Sequence, residues 1–424
     1  MLKRIEKLTP AEEAILAAAG TVAAGSSGQT ARQRAADTLR QRGLPSRKVE
    51  AWHYTDLRTR LKAFPGLADT ADEAAARAFV ETGPAFVEAA VLPFVNGRFR
   101  AALADAMPQG VTATLSDRQG GFADSADAVA LLNTLFGREG MDIAVAAGAR
   151  VEKPVELLHG AVSDGASAVR HAVTVGAGAQ ATLIERHESA DGLAVQASSV
   201  TDLDIGDDAD LVWVIVQGEG DAATHLAQLN VRLGARAKLA VLVLNANAGA
   251  RGMLVRREIN VTVAGEDSEL AINGVNLVGG EAHVDVTTVL LHEVPGAVSN
   301  ELFRNVATDR GAGIFQGQIR VAQIAQKTDA RRACNTLLLS DDAEFSAKPE
   351  LEIFADDVQC AHGATVADIE DDHLFYLKAR GIPEKQARAM LVQAFVEEAF
   401  EEVENEALRD ALNARIEDWL AKHG

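Results

Sequence analysis

Between residues 150 and 368 the sequence alternates apolar and polar residues with a period of two, over and over. The runs HAVTVGAGAQATLIERHE, DLDIGDDADLVWVIVQGEG, HLAQLNVRLGARAKLAVLVLNA and REINVTVAGEDSELAINGVNLVGG share one punctuation. An apolar residue is followed by a short Gly- or Asp-bearing turn, then a small residue, then alternation again. Aligning the small residue gives Ala179, Ala209, Ala237 and Ser268, separated by 30, 28 and 31 residues. Spacing this regular is an internal repeat. Helical periodicity is nearly absent between the runs, which argues against βαβ units. Two folds fit such a chain, a parallel β-helix and a β-sandwich. In a coil, equivalent positions stack on successive rungs, so a small residue recurs wherever the chain bends inward. A sandwich of this length would divide into two domains, and the repeat favours the coil.

The flanks read differently. Residues 1–95 are rich in Ala, Leu, Arg and Glu and predict helices over AEEAILAAAGTVAA, TARQRAADTLRQRGL and DEAAARAFVETG. Pro10 suits a first helical turn, with Thr9 as its cap. Residues 96–150 form a mixed connecting segment, 151–368 the β core, and 369–424 return to helix after Gly381 and Pro383. In that last region Leu391, Ala394, Phe395, Glu398 and Ala399 fall on one helical face, and Val396, Phe400 and Val403 form an adjoining stripe. Two apolar stripes suit either a helical cap over the open end of the coil or a docking surface for another protein.

The chain of 424 residues carries a net charge of −20. That balance repels phosphate backbones and anionic lipid, so neither nucleic acid nor membrane is an expected partner. Two cysteines make no disulfide framework and fit a reducing compartment. The N-terminal MLKRIEKLTPAEEAILAAAG is too short in its apolar run for a secretion signal or a span, so the expectation is a cytoplasmic protein.

Few motifs offer chemistry. Gly176-x-Gly178-x-x-Ala181 fits a dinucleotide fingerprint on paper, but Thr182, Leu183 and Ile184 continue as strand where that motif needs a helix. It reads as a rung corner. No phosphate-binding G-x-x-x-x-G-K-[ST] motif occurs, so no intrinsic nucleotide site is expected and any ATP is hydrolysed by a partner. No H-E-x-x-H, C-x-x-C or G-x-S-x-G occurs, and His292-Glu293 reads as a strand end and turn.

What remains is DDVQCAHGAT, residues 356–365. On a strand, Cys360 and His362 point to the same side. Thiolate and imidazole both suit iron and zinc, yet two ligands do not close a tetrahedral shell. Cys334, 26 residues upstream, either stacks nearby or points elsewhere. The spacing leaves two readings open: a small buried thiol beside a hydrogen-bonded imidazole, or half of a metal site completed by another chain.

Three stretches together resemble one family. AQKTDARRACNTLLLSDDAEFSAKPELEIFADDVQCAHGAT, FYLKARGIPEKQARAMLVQAFVEE and SRKVEAWHYTDL, the last carrying Glu50, Trp52, Tyr54 and Thr55, are similar in order and spacing to the SufB/SufD family of iron–sulfur cluster assembly proteins. The Cys-x-His-Gly form resembles the SufD branch of that family. The resemblance implies a mainly β protein, a right-handed parallel β-helix between N- and C-terminal helical regions. It implies a non-catalytic scaffold that pairs with SufB through its last strands and binds the ATPase SufC through its C-terminal helices, here around Leu391, Phe395, Val396 and Phe400. It implies that His362, with Cys360 beside it, forms a transient cluster or holds iron with a SufB cysteine at the subunit interface. Cys334 matches no site of the family. Flavin and the isolated chain's oligomeric state stay open at this stage, a homodimer through the end strands being one expectation. The rivals are a secreted polysaccharide-cleaving β-helix enzyme, which the missing signal and scarce aromatics disfavour, and a structural homodimer that holds SufC without touching metal.

Overall fold

The computed structural model describes residues 7–22, 28–83, 85–116, 127–249 and 251–423. Residues 1–6, weighed above as a leader, and Ala23 and Ala24 of the first helical run lie outside these. From Gly165–Val175 to Gln359–Ala367 each strand crosses to the opposite sheet and pairs in parallel with the strand two before it. The result is a two-sided parallel β-coil, mainly β, with one sheet of ten strands and one of nine.

The repeat is visible as stacked columns. Gln180, Asp210, Lys238, Glu269, Val298, Asp329 and Gln359 are successive partners in register across one sheet. Just before them, Ala179, Ala209, Ala237, Ser268 and Ala297 are all fully buried. One residue earlier still, Gly178, Asp208, Arg236, Asp267, Gly296 and Lys327 hold φ between 53° and 80°. Each rung therefore turns through a left-handed residue and then tucks a small side chain into the corner. The Gly176–Ala181 segment is such a corner, and Gln180–Ser189 runs on as strand. His292 ends the strand His283–His292, as its turn-like context predicts.

Between the sheets lies a continuous apolar core that includes Trp213, Phe303 and Phe315. It is pinned by a ladder of buried amides. Asn245 Nδ2 donates to Asn276 Oδ1 and Asn276 Nδ2 to Asn305 Oδ1, each at 2.7 Å, across three neighbouring rungs. A slip of one residue would leave each amide unpaired at about 1–3 kcal/mol per group, so the ladder fixes register as well as stability.

The coil begins earlier than the alternation predicts. Ala90–Val95 and Gly140–Val145 already lie in the two sheets. The antiparallel strands Arg98–Phe99 and Val111–Ser116 close this first end. Helix Ala128–Phe136 interrupts the first rung, which hides its period in the sequence.

Helices cover both flanks. Pro10–Thr21, Gln29–Arg42 and Ala128–Phe136 lie on the nine-stranded side, where Leu39, Leu132 and Leu135 meet Ala168, Val200 and Leu226. Thr9 caps the first of them through a capping box, with Glu12 N–H donating to Thr9 Oγ1 at 3.2 Å. The SRKVEAWHYTDL segment straps the same side. Arg256 lies over the Trp52 ring, 4.3 Å from its centroid, and the buried Thr55 hydroxyl bonds His283 Nε2 at 2.9 Å and Asp285. On the ten-stranded side, Glu384–Glu397, the 3₁₀ turn Glu398–Phe400 and Glu406–His423 bury Val396, Phe400, Leu412 and Ile416 against Val214, Leu244, Val275 and Val306. The C-terminal helices thus cover a flank of the coil, not its end as the capping reading expects. The cause is the outer face of that sheet, which is as apolar as its inner face. No helix among the described residues is long and apolar enough to cross a membrane.

Candidate functional site at the open end of the coil

The two last strands, Glu344–Ile353 and Gln359–Ala367, are the outermost members of their sheets at the far end. In the preceding strand, Asp329–Leu338, burial alternates along the chain; in Gln359–Ala367 nearly every residue is exposed. No further rung covers it among the described residues.

The two edges differ in chemistry. Glu344–Ile353 carries Lys348, Glu350, Glu352 and Pro349, the charges and the missing N–H that protect a sheet edge from a neighbour. Gln359–Ala367, QCAHGATVA, has no proline and no Asp, Glu, Lys or Arg. Exposed apolar groups surround it: Val366 is 45% exposed and Phe354, at the last corner, 56%. A full-length parallel strand with an unprotected edge is a template for another strand.

Cys360 and His362 sit on this edge strand. Cys360 is in register with Ala330, His362 with Arg332 and Ala364 with Cys334. Ala330, Arg332 and Cys334 are the buried, inward-pointing residues of their strand. Cys360 and His362 therefore share the inward side, as their spacing predicts, at a level where that side opens to solvent. Cys360 is half-buried against the apolar core and His362 is exposed. A Cβ at Gly363 would meet nothing within 4 Å. Burial pushes the Cys360 thiol above its ordinary range, a hydrogen bond from the Ala330 backbone opposes the rise, and the Asp329 charge adds to it.

Beneath His362, Arg332 is fully buried and paired with Glu301, and its Nε donates at 2.6 Å. One guanidinium nitrogen, Nη1, has no hydrogen-bond partner. Cys334 lies one rung inside, accepts from Asn305 Nδ2 at 3.3 Å, and is pushed up to about 12 by burial. It is a packed thiol, and the structure keeps it apart from the open end.

The helical candidates divide. Val396 and Phe400 are fully buried against the protein's own sheet, while Leu391 and Phe395 are half-buried. The exposed apolar residues of this region are Phe375 (73%), Tyr376 (55%) and Met390 (44%), the first two on helix Asp371–Ala379, which leads directly out of the edge strand. Sequence reasoning passed over Phe375 and Tyr376, although two adjacent aromatics in a chain with 4% aromatic residues were a usable signal.

A line of polar contacts joins the two regions. Glu398 pairs with Arg304 at 2.8 Å, Arg304 donates to Asn335, and Asn335 Nδ2 donates to Thr365 Oγ1 at 2.7 Å. It runs along the outer face from the C-terminal helices to the strand that carries Cys360 and His362.

Residues 158–395 match the family model described as the SUF system FeS cluster assembly, SufBD core domain, and residues 21–157 that of the SufBD protein N-terminal region. The chain is 31% identical to the iron-sulfur cluster assembly protein SufD of Escherichia coli, over 89% of this chain and 90% of that one. It is 26% identical to an iron-sulfur cluster assembly SufBD family protein of Synechocystis, over 90% and 88% of the two chains. To the chloroplastic protein ABCI7 of Arabidopsis thaliana it is 29% identical, over 74% and 67%.

Proposed function

We propose a scaffold role that proceeds from one premise: the chain belongs to the SufBD family of SUF-system iron–sulfur cluster assembly proteins. In this reading the protein is a cytoplasmic, non-catalytic subunit. It pairs with SufB through the strand Gln359–Ala367 and binds the ATPase SufC through the helices that follow. The observation that carries the reading is the pairing of an unprotected, charge-free edge with a thiol and an imidazole on the same side of it.

Cys360 and His362 supply two ligands of a shell that needs four, and a SufB cysteine and incoming sulfide supply the others. Iron and the nascent cluster are the cargo. Arg332, below His362, has its charge balanced by Glu301 and keeps one guanidinium nitrogen, Nη1, without a hydrogen-bond partner. The SufC contact falls on Leu391 and Phe395 together with exposed Phe375, Tyr376 and Met390. Val396 and Phe400 support that surface from behind by anchoring it to the sheet. ATP-driven movement of the C-terminal helices reaches the edge strand through Glu398, Arg304, Asn335 and Thr365.

The test is His362→Ala in the reconstituted complex with SufB and SufC. The expected result is a loss of cluster yield with the complex still assembled. Unchanged yield from an intact complex removes His362 from the mechanism. A chain that retains SufC yet is indifferent to changes at both Cys360 and His362 is instead a structural subunit.

A further inference from the structure

The first turns of the coil enclose a polar group that the interface role does not use. His159, Glu185, His187 and Glu219 come from the ten-stranded side and His225 from the facing strand, and all five are buried. They form two triads that share His187: His159, Glu185 and His187, and His187, Glu219 and His225. Within each triad, one ligand-capable atom per residue lies within 4.8 Å of the others. The His159 and His187 rings stack at 4.6 Å, and those of His187 and His225 meet edge-on at 4.3 Å.

The hydrogen bonding is uneven. His225 Nδ1 bonds Glu219 at 2.6 Å and His225 Nε2 bonds Ser199 at 3.2 Å, so that imidazole is satisfied at both nitrogens. His187 Nε2 bonds Glu185 at 2.9 Å. His159 has no partner at either ring nitrogen, although it is 8% exposed. An imidazole always carries at least one N–H, and each unsatisfied buried group costs about 1–3 kcal/mol. A cavity of about 30 Å³, enough for a water molecule or an ion, borders His159, His187, Ser199 and Glu219. The Glu185 and Glu219 carboxylates face the buried Arg257 guanidinium, which acts on both, and Glu188 also lines the cavity.

We propose that His159, Glu185 and His187 form a binding site for a divalent first-row transition-metal ion inside the coil. Ligand atoms around such an ion at about 2.0–2.2 Å lie roughly 3–4 Å from one another, so small side-chain rotations bring the three donors onto one ion, with a water in the cavity as the fourth ligand. Two nitrogens and one carboxylate oxygen suit Zn²⁺, Fe²⁺ or Co²⁺ better than thiophilic Cu(I) or oxygen-seeking Ca²⁺. The ion gives His159 the partner it lacks. Glu219 and His225, already bonded to each other, hold the opposite wall. The site is on the first rungs and Cys360 is on the last, so the two stand or fall separately.

The experiment uses the full chain, stripped with chelator and desalted, then titrated with Co²⁺ for visible ligand-field bands and with Zn²⁺ for retained metal by mass spectrometry. The expected result is one retained equivalent in the wild type and in the Cys360→Ser/His362→Ala double variant. His187→Gln and Glu185→Gln, which remove ligands, should weaken binding by more than the about 10–100-fold typical of losing an outer-shell partner, and Glu219→Gln should not. Circular dichroism monitors folding. Should the His187 variant not fold, the wild-type measurement decides alone: folded wild type without ligand-field bands and without a retained equivalent overturns the site. Loss on Glu219→Gln with retention on Glu185→Gln overturns the ligand assignment.

Discussion

Phe400 tests the division of labour in the C-terminal helices. It lies on the short 3₁₀ turn Glu398–Phe400 and is fully buried, with Val396 and Ala399, against Val275, Leu277 and Val306 of the sheet. Truncating a phenylalanine in such a place removes its transfer free energy and leaves a cavity, about 3–5 kcal/mol in all. Phe395 is half-buried under Arg304, 5.3 Å from its ring centroid, and its removal costs about 1 kcal/mol. At roughly 2.1 cal/mol/K per residue, a chain of this length that unfolds as one unit loses ~3–6 °C from Phe400→Ala and ~1 °C from Phe395→Ala. The assay pairs thermal denaturation with capture of the ATPase. Phe400→Ala should lower the Tm and open the C-terminal helices to protease. Phe395→Ala and Leu391→Ala should weaken ATPase capture at nearly constant Tm. A Phe400→Ala protein with wild-type Tm and protease resistance, and only a binding defect, would refute the reasoning, because Phe400 would then face the partner and not the sheet.

A Cβ at position 317 would stand 2.4 Å from the guanidinium carbon of Arg332, which is sealed in place by Glu301 and Thr288. Gly317→Ala should therefore cost about 3–5 kcal/mol by splitting that buried pair, read as a lower urea midpoint. Asn335→Leu keeps the strand but cuts the link between Arg304 and Thr365; alkylation of Cys360 in the complex should then lose its dependence on ATP, with assembly unchanged. The Cys360 thiol is held above its ordinary range by burial, so it is protonated at neutral pH and ligation must release that proton. Metal capture at the open end should strengthen as pH rises toward the thiol's raised range and weaken on acidification, and Cys360→Ser should flatten the slope in a pH-resolved cobalt titration.

The repeat was legible because corners admit only small side chains, and Ala179, Ala209, Ala237 and Ser268 announce that limit in the sequence. The left-handed residue beside each was not, since Asp208, Arg236 and Lys327 occupy the position as readily as Gly178. That Cys360 and His362 share one side was legible, because strand parity alone puts them there; which strand bounds the coil was not. The buried histidines passed as ordinary alternation. Yet in ATLIERHE, Glu185 and His187 share the parity of Ala181 and Leu183, which face the core. Four ionisable residues in succession on a strand force two of them inward. Similarly, VWVIV and LAVLVL are apolar on both parities, the mark of a strand covered on both faces. That pattern implies a layer of helices outside the sheet, and so predicts a buried role for Val396 and Phe400.

The unequal ends of the coil bear on what pairs there. Short antiparallel strands close the first end, and the last end offers one protected and one unprotected edge. A second copy of the chain can meet that edge, since a two-fold axis pairs like strands. Such a dimer would bring two thiols and two imidazoles together, a closed tetrahedral set of the kind that binds zinc structurally. A growing iron–sulfur cluster needs the opposite, open positions and more sulfur than Cys360 provides. The single cysteine beside the single histidine thus works against self-pairing as an assembly site and toward a partner that brings its own thiolates. On the proposed reading, the chemistry of the edge strand, more than its geometry, would distinguish a productive heteromer from a zinc-bridged homodimer.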